Sequence, residues 1–155
     1  MVEMVEARAV RPLRHAVLRP GRAEEESAYA ADDDTDSAHI AARGPRGEVV
    51  SVGTVLREAP PWEPGCADGW RVRGMATRAE ARRGGLGRLV LDGLLAHVAA
   101  NGGGLVWCNA RVAAQQLYAR AGFVRRGGVF ELPDIGPHLL MWRSVDGRTQ
   151  HAPSS

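Results

Sequence analysis

Arg82-Arg83-Gly84-Gly85-Leu86-Gly87-Arg88 sets three arginines among three glycines, directly ahead of an apolar stripe. The chemistry this spacing supports is anion binding. Glycines carry no Cβ, so an anion can approach the backbone closely, and a helix starting here would add unpaired N–H groups and a partial positive charge. Arginine forks match phosphate oxygens better than an ammonium does. The plainer reading is a helix-entry turn whose arginines face solvent. All 20 basic side chains of the chain are arginine, so the Gly-x-x-x-x-Gly-Lys-Ser/Thr loop of nucleoside triphosphatases is excluded. The dinucleotide fingerprint fails as well: the glycines are wrongly spaced, and the segment about 20 residues on, Ala99 to Gly104, has no carboxylate.

Other side chains could move protons or hold charge. Tyr118, one of two tyrosines, offers a phenol with an ordinary pKa of about 10. His138 offers an imidazole that titrates near neutrality, and equally suits a structural hydrogen bond at a strand start. Glu131 and Asp134 lie on the same connection, either as proton acceptors or as plain loop carboxylates. The run Asp32-Asp33-Asp34-Thr35-Asp36 lacks the alternation, glycine and distal glutamate of a calcium loop; it reads as a solvated turn or as a binder of a cationic group. Cys66 and Cys108 form no Cys-x-x-Cys pair, so neither a disulfide framework nor a metal site is expected.

The elements that must position these residues follow from periodicity. Leu86, Leu89, Val90, Leu94, Leu95 and Val98 keep i, i+3, i+4 spacing, which makes the arginine-glycine turn the start of a helix with one buried face. Trp70 to Thr77 before it and Gly104 to Ala110 after it read as strands, completing a β-α-β unit. A second helix, Ala113 to Ala121, carries Leu117 and Tyr118 and stops at Gly122. Upstream, Val5 to Val10 is expected as a strand and Pro12 to Leu18 as a short helix ended by Pro20-Gly21. Arg22 to Ser37 is an acidic connection, and His39 to Ala42 with Val49 to Leu56 form a hairpin. Phe123 to Leu132 and Leu139 to Val145 close the sheet, leaving residues 146–155 as a flexible tail after a single domain over 1–145.

Taken in order, these segments resemble a known family. Arg82-x-x-Gly85-x-Gly87 after a strand ending Gly74-Met75-Ala76-Thr77, followed by Leu117-Tyr118-Ala119-Arg120-Ala121-Gly122-Phe123, is similar to the GNAT superfamily of acetyl-CoA-dependent N-acyltransferases. Trp107-Cys108-Asn109-Ala110-Arg111 and Pro133-Asp134-Ile135-Gly136-Pro137-His138 resemble its stand-alone bacterial branch related to ElaA. The resemblance covers nearly the whole chain. It implies an α/β fold with a mixed six- to seven-stranded sheet, splayed between strands four and five, and helices on both faces.

What the resemblance implies about the site can be stated residue by residue. Acetyl-CoA is the co-substrate, its pantetheine amides paired to the backbone of Met75, Ala76 and Thr77 like an added strand. Arg82, Arg83, Gly84, Gly85, Leu86, Gly87 and Arg88 take its phosphates. The position seven residues before Tyr118, where many members carry a coenzyme-contacting asparagine, is Arg111 here; Asn109, two residues earlier, either reaches the same arm or caps the next helix. Tyr118 is the implied general acid toward the leaving sulfur, with helix packing as the alternative role. His138 is the candidate base for the acceptor amine. Cys108, inside an apolar strand, is expected to be buried and inert, which favours direct attack in a ternary complex over an acetyl-enzyme.

Length and composition agree with this. A chain of 155 residues, 45% hydrophobic, buries roughly 70% of its unfolded surface in one core. A net charge of +2 with arginines scattered along the chain gives no nucleic-acid face. No signal peptide and no apolar run of about 18 residues is visible, so the expected compartment is the cytoplasm, without a membrane partner. The expected partner is an amine-bearing acceptor, small molecule or protein, and the chain is monomer or homodimer. Two alternatives to an enzyme remain open at this level: a non-catalytic acyl-CoA-binding regulatory module, and a nucleotide-binding protein.

Overall fold

Apolar and small residues fill residues 49–57 almost without interruption, the pattern of a strand covered on both sides. In the computed structural model, which describes residues 2–148, that segment is β3 (Val49–Arg57) near the centre of a seven-stranded sheet. The other strands are β1 (Val2–Val5), β2 (Ala38–Arg43), β4 (Gly69–Thr77), β5 (Gly103–Arg111), β6 (Val124–Leu132) and β7 (Gly136–Asp146), in the order β1-β2-β3-β4-β5-β7-β6. Every neighbouring pair is antiparallel except β4 and β5, which run parallel because α2 (Leu86–Ala100) carries the chain across between them.

Helices cover both faces. On one, α1 (Ala7–Leu18) packs Val10 and Leu13 against Ala41, Val52 and Ala76. On the other, α2 buries Val90, Leu91, Leu94 and Val98 against Ile40, Val55, Val72 and Val106. The short α3 (Gln115–Arg120) delivers Tyr118 to this second core and ends in a turn where Phe123 N–H donates to the Tyr118 carbonyl at 3.0 Å.

Several expectations are corrected. Val5 to Val10 alternates like a strand, yet only Val2–Val5 is one; Ala7, Val10, Leu13 and Val17 repeat at helical spacing, and burial of that stripe decides. The helix therefore begins five residues before Pro12 and runs through it, the exposed ring removing one backbone hydrogen bond that packing of the stripe offsets. In α2, Leu91 is buried and Leu89 is 44% exposed, a rotation of the predicted stripe by about half a turn step. The acidic connection contains a 3₁₀ turn, Glu24–Ser27, and its Asp32 is buried. At the other end, β7 extends to Asp146, which pairs with Gly103, and Arg148 N–H donates to the Ala99 carbonyl at 2.7 Å. Asp146 is thus attached to β5 and Arg148 to the end of α2, while the remainder of the expected tail, 149–155, lies outside the described residues.

Candidate functional site at the opening between strands β4 and β5

The ladder joining β4 to β5 is short. Gly69, Trp70 and Arg71 pair with Leu105, Val106 and Trp107, and there it stops. Beyond that point β5 stays with β7 as far as Arg111, while β4 stays with β3. The divergence has a local cause at Gly74. This residue has φ +68°, the left-handed region that glycine adopts without strain, and the β3–β4 register shifts around it, a bulge that bends the strand. A Cβ there would lie 2.8 Å from Arg14 Nε. Past the bulge, the β5-side edge of Met75, Ala76 and Thr77 has no strand partner among the described residues.

A cleft of about 850 Å³ fills the opening. One end is the start of α2. Gly85, at φ +77°, is its N-cap; no side chain caps the helix, and no acidic residue sits in its first turn. The first N–H groups of a 15-residue helix are therefore left for something outside the protein. A Cβ added to Gly87 would meet Thr77 Oγ1 at 3.6 Å and Leu117 Cδ2 at 3.8 Å, ordinary contacts, so packing alone does not require glycine there. Arg82 and Arg83 are exposed at this end; Arg82 Nε donates to the Thr77 carbonyl at 3.2 Å, and Arg83 itself has φ +74°. Arg88 is held by Asp92 at 2.9 Å.

Tyr118, on α3, lines the cleft. It is 5% exposed and meets Phe123 edge-on, with ring centroids 5.4 Å apart. Burial, and secondarily Cys108 beside it, push the Tyr118 hydroxyl well above the ordinary range for a phenol, further from a thiol's pKa than a solvated phenol would be. Burial likewise raises the Cys108 thiol, which keeps it protonated and leaves no thiolate nucleophile. His138, buried on β7, donates its Nδ1–H to the Gly136 carbonyl at 2.8 Å. A carbonyl can only accept, so the neutral ring carries its lone pair on Nε2.

The comparisons with known proteins bear on this arrangement. Residues 14–135 match the acetyltransferase (GNAT) domain. The chain belongs to the GNAT acetyltransferase family. Within it, the chain is 30% identical over 133 residues, 86% of its own length and 88% of the relative's, to a Bacillus subtilis (strain 168) protein named uncharacterized N-acetyltransferase YitI. Among solved structures, Escherichia coli ElaA shares the fold at a TM-score of 0.73 with 18% identity, covering 92% of this chain and 99% of the other. A phosphinothricin acetyltransferase from Sinorhizobium meliloti, solved with AcCoA, reaches 0.74 with 16% identity, covering 100% and 93%.

In this GNAT chain nearly all the residues singled out from sequence surround one cleft. Met75, Ala76, Thr77, Arg82, Arg83, Gly85, Leu86, Gly87, Arg88, Asn109, Arg111, Tyr118 and His138 all line it; Gly84 does not. Asn109 is not a helix cap: the following 3₁₀ and α-turns have no side-chain cap, and Asn109 stays in the β5–β7 ladder opposite Leu140. Glu131 and Asp134 do not line the cleft, Asp134 instead pairing with Arg22 at 3.0 Å. Sequence reasoning missed Arg71, Arg73 and Tyr29, which also line it. The signal was present for the arginines, since they alternate with buried Trp70 and Val72 and so share the opposite face of β4. Among the described residues no group of three or more His, Cys, Asp or Glu side chains could hold a metal ion, and no helix is long and apolar enough to cross a membrane.

Proposed function

We propose that this acetyltransferase transfers an acetyl group from acetyl-CoA to a primary amine by direct attack, with both substrates bound together. The observation that carries the reading is the cleft itself, which runs from an uncapped helix N-terminus ringed by arginines to a buried histidine with a fixed tautomer. The residues fit the coenzyme. The α2 amides, with Arg82, Arg83 and Arg88 around them, suit phosphate oxygens. The unpaired edge of Met75, Ala76 and Thr77 suits the amides of an extended arm, which would complete the ladder that β5 abandons. Asn109 and Arg111 face that edge from β5 across the opening.

Acetyl-CoA, when bound, supplies an activated acetyl group and a sulfur leaving group. His138 Nε2 is the site that accepts the proton of the incoming amine, and the Nδ1–H bond to Gly136 keeps it in that role. Tyr118 remains protonated at any working pH because of its burial, so its O–H is available to donate toward the departing sulfur. Cys108 stays a neutral thiol in the core, which supports a route without an acetyl-enzyme.

The test is release of CoA thiol from acetyl-CoA with a panel of amines, alongside calorimetric titration of acetyl-CoA. Binding with amine-dependent thiol release supports the transferase. Binding without release under any amine would mark a regulatory module, and protection by ATP in place of CoA would mark a nucleotide-binding protein.

A further inference from the structure

The sheet register separates the two mouths of the cleft. Cross-strand partners share a face, and Arg111 pairs with His138 while Asn109 pairs with Leu140. Their neighbours Cys108, Ala110, Leu139 and Met141 belong to the α2-side core, together with Tyr118. The helix start and Tyr118 therefore lie on the α2 side. Arg73, Arg111 and His138 open on the α1 side, where Tyr29 and the end of α1 also line the wall.

Charge on the α1 side is uncompensated. Among the described residues, no Asp or Glu lines the cleft. Arg71 is answered by Glu58 at 3.2 Å and Arg14 by Asp32 at 2.9 Å. Among the described residues, Arg73 and Arg111 have no carboxylate within ion-pair distance. Arg73 is half-buried, its guanidinium 3.7 Å from the centroid of the Tyr29 ring, whose other neighbour is the Arg14 guanidinium at 3.8 Å. Burial, and then the charge of Arg71, lower its pKa. Arg111, also half-buried, spends one donor on the Leu18 carbonyl at 3.4 Å. Cations partly removed from water call for an anion. The coenzyme does not bring one here, because its charges are phosphates at the α2 end and its thioester end is neutral. The anion must come with the acceptor.

We infer that the acceptor is a small amine that itself carries a carboxylate, bound by Arg73 and Arg111 while its amine faces His138. This rests on the acetyl-transfer reading. Size follows from the cleft: about 850 Å³ must hold coenzyme and acceptor together, and the exposed Arg22–Asp134 pair, at 3.0 Å, links the chain segments that carry wall residues Arg19 and Ile135. Leu18, Leu132 and Ile135 give the rest of the molecule an apolar wall. In the transfer, the nitrogen–acetyl carbon bond forms as the carbon–sulfur bond breaks. The amine proton passes to His138, the sulfur leaves as CoA thiol with the proton that Tyr118 donates, and the carboxylate is unchanged.

The experiment compares apolar L-amino acids with their methyl esters, spermidine and an arginine- and lysine-rich peptide, read by CoA thiol release and by calorimetric binding to CoA-loaded protein. An ester amine is less basic and more often neutral, so a preference for the free acid is not an effect of amine protonation. The expected result is at least a tenfold higher kcat/KM, or tighter binding by that factor, for the acids, as a charge-assisted bond would give. Arg73→Gln should collapse that ratio while the acetyl-CoA thermal shift persists, and Arg111→Gln should collapse the ratio as well. Equal or better use of ester, spermidine or peptide overturns the inference and leaves the transferase intact, and so does failure of every acid to bind the CoA-loaded protein. Absence of acetyl-CoA binding would instead remove the reading beneath it.

Discussion

Asp32 and Arg14 meet as a fork, Arg14 Nη1 and Nη2 donating to the two carboxylate oxygens at 2.9 and 3.2 Å with both side chains shielded from water. Further bonds run outward from the pair, although Arg14 Nε is buried without a partner. Arg14 Nη2 also donates to Thr54 Oγ1 at 2.7 Å, Tyr29 N–H donates to Asp32 at 2.9 Å, and His39 Nε2–H donates to the Asp32 carbonyl at 2.8 Å. Arg14 is thereby fixed against the Tyr29 ring and beside the Gly74 bulge, so the pair supports two residues that line the cleft.

Acid should expose this pair. Burial alone would raise the Asp32 carboxyl, but the bonds from Arg14 and Tyr29 and the nearby charges hold it below the ordinary carboxylate range. A depressed folded-state pKa contributes stability that is fully present above the unfolded value of about 4 and is lost as pH falls through the folded value. Denaturant unfolding between pH 6 and 2 should show that loss in the wild type and a flatter profile in Asp32→Asn. At neutral pH the variant should lose about 3–5 kcal/mol, since Arg14 keeps a buried charge without its partner. Parallel pH profiles would refute the assignment. Asp33→Asn and Asp34→Asn, both exposed, should change little.

That contrast marks the limit of legibility in the sequence. Composition cannot tell Asp32 from Asp33, because what separates them is Arg14, 18 residues away on α1, which only folding brings to one of the two. The β-α-β unit, the α2 entry and Tyr118 were legible because their signals are local: spacing, glycines and a stop at Gly122. The α1-side mouth was not. It is assembled from β4, β5, β7 and the end of α1, and its charge balance depends on pairings such as Arg22 with Asp134 that only folding brings together.

The helix start makes a direct prediction. Gly87→Glu places its Cβ in ordinary contact with Thr77 and Leu117, so folding should survive, but its carboxylate would occupy the anion cradle. Acetyl-CoA at 100-fold its Kd should stabilise the wild type by about 2.7 kcal/mol, seen as a rise in Tm, and should leave the variant unshifted. A folded variant with a wild-type shift would relocate the phosphates away from α2.

The end of the described chain is the subject of another. A protein ending at Val145 loses the Asp146–Gly103 pairing and the 2.7 Å bond from Arg148 to Ala99, whereas one ending at Arg148 keeps both. At about 0.5–1.5 kcal/mol per hydrogen bond, the shorter protein should melt a few degrees lower. Calorimetric scans of the two settle it; identical Tm values would mean that these contacts contribute nothing to stability.

Tyr118 gives the sharpest mechanistic test. Its ring is packed edge-on against Phe123 in the α2-side core, so Tyr118→Phe preserves the apolar contacts and removes a single O–H. Stability and acetyl-CoA affinity should hardly change. Because burial holds the phenol protonated, the loss is that of a proton donor throughout the working pH range, and the alkaline limb of the rate profile should not move. General acid catalysis is worth about 10²- to 10⁴-fold, and the single-turnover rate of acetyl transfer should fall within that range. Steady-state turnover is the weaker measure, since slow product release hides a change in the chemical step. A variant that transfers acetyl at the wild-type single-turnover rate would reduce Tyr118 to a packing residue and move the leaving-group proton to His138 or to water.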